Sequence, residues 1–181
     1  GFAVGGNKSD TSVKLAHEGG GKPWLTFTSK AAVPITQAFS SGYRIAKTVT
    51  PVEQKLSGRY SRGDVLRVHL DIDAQADMTW VVINDPIPAG ATLLGSGLGR
   101  DDAMATGGEK EDRRGWLAYQ ERSLEAFRAY YRYLPKGKFS VEYTVRLNNP
   151  GAYGLPATHV EAMYAPEMFG EAPNAQMVVA P

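Results

Sequence analysis

The side chains that could hold a metal ion are scattered along the chain. His17, His69 and His159 are far apart, and none of them belongs to a His-x-His or His-Glu-x-x-His spacing. A site built from them would need strand pairing to gather its ligands, because protein metal sites usually draw on short local ligand pairs. We therefore interpret them as independent structural or surface residues, and we predict neither a metal nor another cofactor.

Two groups of carboxylates have a composition that could bind calcium. Asp71 and Asp73 are two positions apart and would share a face of a strand, while Asp101 and Asp102 stand near Glu109 in a glycine-rich segment. Neither spacing matches a calcium-binding loop, and basic residues are interspersed in the second group. These patterns favour solvated surface over a calcium site.

The residue patterns needed for nucleophilic or phosphate chemistry are missing from the sequence. The chain has no cysteine and no Gly-x-Ser-x-Gly elbow, and the stretch 95–100 (GSGLGR) lacks the Gly-Lys-Ser/Thr ending of a phosphate loop. Arg62-Gly63-Asp64 is a tripeptide that adhesion receptors read, but it lies where we predict a turn. We predict that the chain is not an enzyme.

Length and charge narrow the class of protein. With 181 residues the chain can form one good-sized domain, or one domain with an appendage. A formal net charge of +1 argues against a broad nucleic-acid or anionic-membrane surface, and no apolar run reaches the length of a transmembrane helix. Because the chain opens with glycine rather than methionine, we expect it to be a segment of a longer protein.

The elements that would position these residues are short strands. The 20 glycines and 11 prolines fall between short apolar runs, which is typical of an all-β fold. Alternation predicts strands over 43–52, 65–72 and 139–147. The apolar stretch 78–83 indicates a more buried strand, and we predict a last strand over 158–164. We predict an antiparallel β-sandwich of about seven strands, with turns every eight to twelve residues or so. It would carry an N-terminal β appendage and a long glycine-rich loop over 94–114, and the tail 165–181 would lie over the surface.

The stretch 116–134 fits two kinds of secondary structure. Leu124, Phe127 and Tyr131 have helical spacing, whereas residues 127–134 also alternate as a strand would. The following Leu-Pro-Lys-Gly turn and the clean alternation of 139–147 require an antiparallel partner. This favours a strand over 127–134.

Several segments resemble the C-terminal end of the bacterial alpha-2-macroglobulins. They are the DPIPAG motif at 85–90, the Leu-Pro-x-Gly turn at 134–137, and residues 144–149 leading to the MYAPE motif at 163–167. Residues 1–40 resemble the tail of the CUB-like domain that precedes the last domain of such proteins. The resemblance therefore divides the chain into a CUB-like tail, 1–40, and a last macroglobulin-like β-sandwich, 41–181.

The resemblance implies a function for the parent protein. Family members are large periplasmic proteins, usually lipid-anchored, that trap proteases: a bait region is cut, the molecule collapses, and a Cys-Gln thioester can bond to the protease. The last macroglobulin-like domain packs against the thioester domain and shields the bond from water. The positions that match the shielding residue are Met163, Tyr164 and Met168.

The implied partners follow from that architecture. They are the other domains of the parent chain, above all the thioester domain, and target proteases through the whole protein, with no nucleic acid and no direct membrane insertion. The absence of cysteine means that any thioester lies elsewhere in the parent. A second reading is a stand-alone adhesion or carbohydrate-binding module that uses the aromatic hairpin 127–139, where Tyr131 or Tyr133 would stack on sugar rings.

Overall fold

The chain forms two compact units, residues 1–33 and residues 34–181. The computed structural model describes residues 16, 18–22, 24, 26, 35–95, 109 and 114–181. In the first unit only scattered positions are described, among them a fully exposed Trp24. The predicted N-terminal β appendage therefore lies largely outside the described residues, and its CUB-like assignment stays a prediction.

Thirteen strands occur in the described part of the second unit. They are β1 (Phe39–Ser41), β2 (Tyr43–Glu53), β3 (Tyr60–Ser61), β4 (Val65–Ala74), β5 (Met78–Pro86), β6 (Thr92–Leu93), β7 (Trp116–Arg122), β8 (Ala126–Leu134), β9 (Gly137–Arg146), β10 (Gly151–Tyr153), β11 (Thr158–Ala162), β12 (Ala165–Ala172) and β13 (Met177–Ala180). No helix is present among the described residues, and so none there could cross a membrane.

The strands form three sheets. A six-stranded sheet has the order β1-β12-β11-β5-β8-β7, a four-stranded sheet has the order β2-β4-β9-β6, and a small sheet has the order β10-β13-β3. Strand pairing is antiparallel throughout except between β13 and β3. The prediction of an all-β antiparallel fold is confirmed.

The core lies between the six-stranded and four-stranded sheets. Strand β4 alternates, so that Leu66, Val68, Leu70 and Ile72 are buried while the residues between them are more exposed. Two aromatic pairs join the sheets: Phe127 of β8 stacks on Tyr143 of β9 at 4.5 Å, and Tyr131 meets Phe139 edge-on at 5.9 Å. Residues 127–134 form a strand, and the helical alternative is wrong.

The predicted strands at 43–52, 65–72 and 139–147 match β2, β4 and β9 closely, but two other predictions need correction. Strand β5 continues beyond 83 to Pro86, because Asp85 and Pro86 still pair with β8. The tail does not lie over the surface: it forms β12, which pairs with both β1 and β11, and then β13. Pro166 stands at the second position of β12, where the strand tolerates it.

Candidate functional site

Two of the three predicted site residues form the tip of the hairpin between β11 and β12. Ala162 pairs with Ala165, so Met163 and Tyr164 are the two residues of the turn. The side chain of Met163 is 45% exposed and that of Tyr164 is 79% exposed. This tip therefore presents two adjacent apolar side chains to solvent at one end of the six-stranded sheet.

The third predicted residue, Met168, lies away from the tip. The β11–β12 register passes from Ala162 opposite Ala165 to Glu161 opposite Phe169, which leaves residues 166–168 without a partner on β11. Met168 is half-buried and packs against the core, and a Cβ added at Gly42 would overlap its methyl group. The structure thus brings Met163 and Tyr164 together and places Met168 in a packing position.

A residue that the sequence did not single out adjoins the tip. The backbone N–H of Met163 donates a hydrogen bond of 2.8 Å to the carbonyl oxygen of Trp80, one step beyond the pairing of Ala162 with Val81. Trp80 has a φ of 53°, the single positive value among non-glycine residues of the described chain, and its side chain is 41% exposed. The local sequence does not predict this conformation, because residues 78–83 have the composition of a buried strand.

The aromatic hairpin 127–139 turns most of its rings inward. Phe127 is fully buried and Tyr131 is 4% exposed, and both belong to the core cluster. Tyr133 is half-buried, with its ring 5.8 Å from that of Trp116. Tyr131 is therefore not available to stack on a sugar ring, whereas Tyr133 remains partly exposed.

A buried carboxylate connects the two large sheets. Asp85 of β5 is completely buried, and its Oδ1 accepts hydrogen bonds from Lys47 Nζ at 2.7 Å and Thr158 Oγ1 at 2.6 Å. Its Oδ2 accepts one from the Tyr143 hydroxyl at 2.6 Å. These donors come from β2, β11 and β9, so one side chain ties both sheets together. We call these four residues the Asp85 node.

Contacts at the edge of the Asp85 node hold the side chain of Lys47 in place. Lys47 Nζ also donates to Asn174 Oδ1 at 3.0 Å, and Asn174 Nδ2 donates to the Pro156 carbonyl at 2.6 Å.

Burial, followed by the neighbouring Asp85 charge, raises the pKa of Tyr143 well above its ordinary value. The phenol therefore stays protonated and remains a donor to Asp85. The sequence showed Asp85 only as part of a motif, because the partners are distant along the chain.

Two histidines contact carboxylates on strand surfaces. His69 Nδ1 lies 2.8 Å from Glu142 and its Nε2 lies 3.0 Å from Asp71. Burial alone would lower the pKa of His69, but hydrogen bonds and charges from Glu142 and Asp71 outweigh it, so the pKa is raised. His159 lies 3.0 Å from Glu161.

The carboxylates considered for calcium have protein neighbours in the structure. Asp71 pairs with His69, and Asp73 stands in register between Arg44 and Lys138. Across the described ranges, no cluster of three or more His, Cys, Asp or Glu residues could hold a metal ion. The predicted carboxylate group around Asp101 lies outside those ranges, except for Glu109.

Glu109 and Asp64 show how loops attach to the sandwich. Glu109 accepts a hydrogen bond from Thr144 at 2.7 Å and pairs with Arg122 at 3.3 Å, although most of the loop around it lies outside the described residues. The carboxylate of Asp64 is buried and accepts the backbone N–H groups of Ser61 and Lys55. The Arg-Gly-Asp tripeptide is therefore a structural turn whose acid is not accessible to a receptor.

Together the packed sheets and the Asp85 node that joins them define a β-sandwich domain. Residues 42–167 match the family described as the bacterial alpha-2-macroglobulin MG10 domain. This match covers more than half of the chain, and the chain belongs to that family. The resemblance noted in the sequence is confirmed.

Relatives and solved structures agree with this assignment. An alpha-2-macroglobulin homolog from Nostoc sp. is 26% identical over 77% of this chain, which spans only 8% of the relative's own length. Native Escherichia coli alpha-2-macroglobulin from domain MG7 to the C-terminus has a TM-score of 0.65 at 19% identity, covering 82% of this chain and 25% of that one. Salmonella alpha-2-macroglobulin reacted with methylamine has a TM-score of 0.63 at 22% identity, covering 80% of this chain and 10% of that one. These likenesses show the fold.

Proposed function

We propose that this chain is a structural and gating module of a bacterial alpha-2-macroglobulin that traps proteases. Membership of the MG10 family and the small share of the Nostoc relative that the chain spans support a role inside a much larger protein. In this proposal the inhibitory activity belongs to the parent protein, and the chain itself performs no catalysis. The target proteases are partners of the whole molecule.

The tip is the surface through which the module would dock on the thioester domain of its parent. Met163 and Tyr164 occupy a two-residue turn held between paired strands, so their backbone is fixed while their side chains remain exposed. A fixed backbone reduces the conformational entropy that is lost when such a turn binds. The observation that carries the proposal is this exposed pair at the position that the family resemblance assigns to the shield.

The first experiment titrates the 181-residue chain into the remainder of its parent and measures binding by calorimetry. The double variant Met163→Ala, Tyr164→Ala should bind at least about tenfold more weakly, because truncating two central apolar contacts removes about 1.4 kcal/mol or more. The matched control is Leu124→Ala, Val178→Ala, which truncates two exposed apolar side chains elsewhere on the domain. It should bind as the wild type does.

The thioester gives a second readout where the parent contains one. Methylamine attacks an unshielded thioester, so the complex with the tip variant should react faster than the wild-type complex. Absence of any docking by the wild type would end the module proposal. If the double variant docks with wild-type affinity, the proposed role of the module stands but the tip is not its docking surface.

We also propose that the parent resides in the periplasm and is anchored there by lipid, as the family resemblance implies. Fractionation of cells that produce the parent tests this directly. Recovery of the parent from the cytosol would contradict it.

A further inference from the structure

Trp80 holds a backbone conformation that its side chain disfavours. A φ of 53° lies in the left-handed region, which glycine adopts without steric penalty and in which a bulky aromatic residue is an outlier. The neighbouring residues of β5 pair normally with β8, with Thr79 opposite Tyr133 and Val81 opposite Tyr131. The conformation is therefore confined to one residue of an otherwise regular strand.

The left-handed residue is the one that contacts the tip. The carbonyl oxygen of Trp80 accepts the N–H of Met163, so the last hydrogen bond between β5 and the β11–β12 hairpin ends on Trp80. Strained conformations persist where the surrounding structure imposes them, and they cluster at functional sites. The strain at Trp80 and the tip described above are thus one structural unit.

A role for the backbone alone would not account for tryptophan at this position. Glycine would supply the same carbonyl in the same conformation without steric penalty. The chain instead has a tryptophan that is 41% exposed, and its backbone is hydrogen-bonded to the turn that carries the exposed Met163 and Tyr164. Tryptophan is among the side chains enriched in the energetically dominant contacts of protein interfaces.

We propose that Trp80 is the third residue of the docking surface, positioned by its left-handed backbone to extend the Met163 and Tyr164 tip. The occupant is an apolar surface of the parent's thioester domain, so the inference rests on the proposed function and adds a residue that the family resemblance does not assign. Most of the relatives' length lies outside this chain, which leaves the parent as the source of the covering surface.

The test separates the indole from the backbone. Trp80→Gly removes the ring at a position where glycine tolerates the observed φ, and Trp116→Gly removes another exposed indole, on β7, where φ is not positive. Both variants of the 181-residue chain are titrated into the remainder of the parent, with thermal unfolding recorded for each. Trp80→Gly should unfold no earlier than Trp116→Gly and should dock at least about tenfold more weakly than wild type.

The outcomes distinguish this inference from the proposed function. Wild-type docking by Trp80→Gly, with weakened docking by the Met163 and Tyr164 double variant, would overturn the role of Trp80 alone. Equal weakening by Trp80→Gly and Trp116→Gly would also overturn it, because the effect would not be specific to the tip. If the glycine variant does not fold, Trp80→Asn replaces it, since asparagine also tolerates the left-handed region.

Discussion

Asp85 carries more of the interior's polar contacts than any other side chain described above. Its carboxylate accepts hydrogen bonds from Lys47, Thr158 and Tyr143, and Lys47 is itself only 15% exposed. A buried charge is tolerated when it is paired and hydrogen-bonded, and its removal leaves the partners unpaired in the same place. The node therefore makes the packing of the two sheets dependent on one acid.

Asp85→Ala should lower the free energy of unfolding by about 3–5 kcal/mol, the usual effect of breaking a buried ion pair. The double variant Lys47→Met, Asp85→Ala should be less destabilised than the sum of its single changes, because it leaves no buried ammonium without a counter-charge. Denaturant unfolding measures both. Additive losses in the double variant would show that Lys47 and Asp85 do not act as a pair.

His69 should make stability depend on pH in a defined direction. Because its pKa is raised in the folded state, its ion pairs stabilise the protein fully below the unfolded value of about 6.5, and this contribution is lost as pH rises through the folded pKa. Wild type should therefore exceed His69→Gln in stability near pH 5.5, by about 1 kcal/mol or less for a partly exposed pair. The two proteins should converge near pH 8. A difference that grows with pH would contradict this sign.

At the scale of elements, strand β12 approaches β2 too closely for a side chain. A Cβ added at Gly170 would overlap the carbonyl oxygen of Tyr43 and lie 2.9 Å from its carbonyl carbon. Both atoms belong to backbone and cannot rotate away. Glycine at this position therefore allows the six-stranded and four-stranded sheets to meet along this line.

Gly170→Ala should destabilise the domain by about 1–3 kcal/mol, because the strands must separate to accept one methyl group. Gly154→Ala is the matched control, since a Cβ there has no atom within 4 Å and φ is not positive. It should stay within about 0.5 kcal/mol of wild type. Thermal unfolding of both variants tests the close approach, and equal stability of the two would refute it.

The elements differ in how far the sequence could predict them. Strands β4 and β9 alternate over most of their length, so period alone identified them. Strand β12 has Pro166 near its start and a register break at 166–168, both of which hide the alternation. Strand β7 was ambiguous because only its pairing with β8 fixes it as a strand. Residue alternation predicts a strand where the local sequence is regular. Strands without regular alternation, such as β7 and β12, are fixed by their pairing with other strands.

At the scale of the whole molecule, the sequence predicted the class of fold and the family. Met163 and Tyr164 were proposed from a motif; the structure places both in the exposed turn between β11 and β12, and their shielding role stays a prediction. Trp80 could not be found, because a backbone dihedral and a hydrogen bond to a residue far along the chain leave no local pattern. The Asp85 node could not be predicted from the sequence for the same reason, because its donors come from three other strands.

The position of β12 has a consequence for how the protein is made. Strand β12 lies between β1 and β11 in the six-stranded sheet, yet it is translated after both of them. Until residues 165–172 leave the ribosome, the edge of β11 has open backbone groups, and an exposed edge is a template for association with other chains. The nascent domain is therefore prone to aggregate until β12 has been synthesised and has paired with β11. A chaperone that covers the edge of β11 would act at this stage.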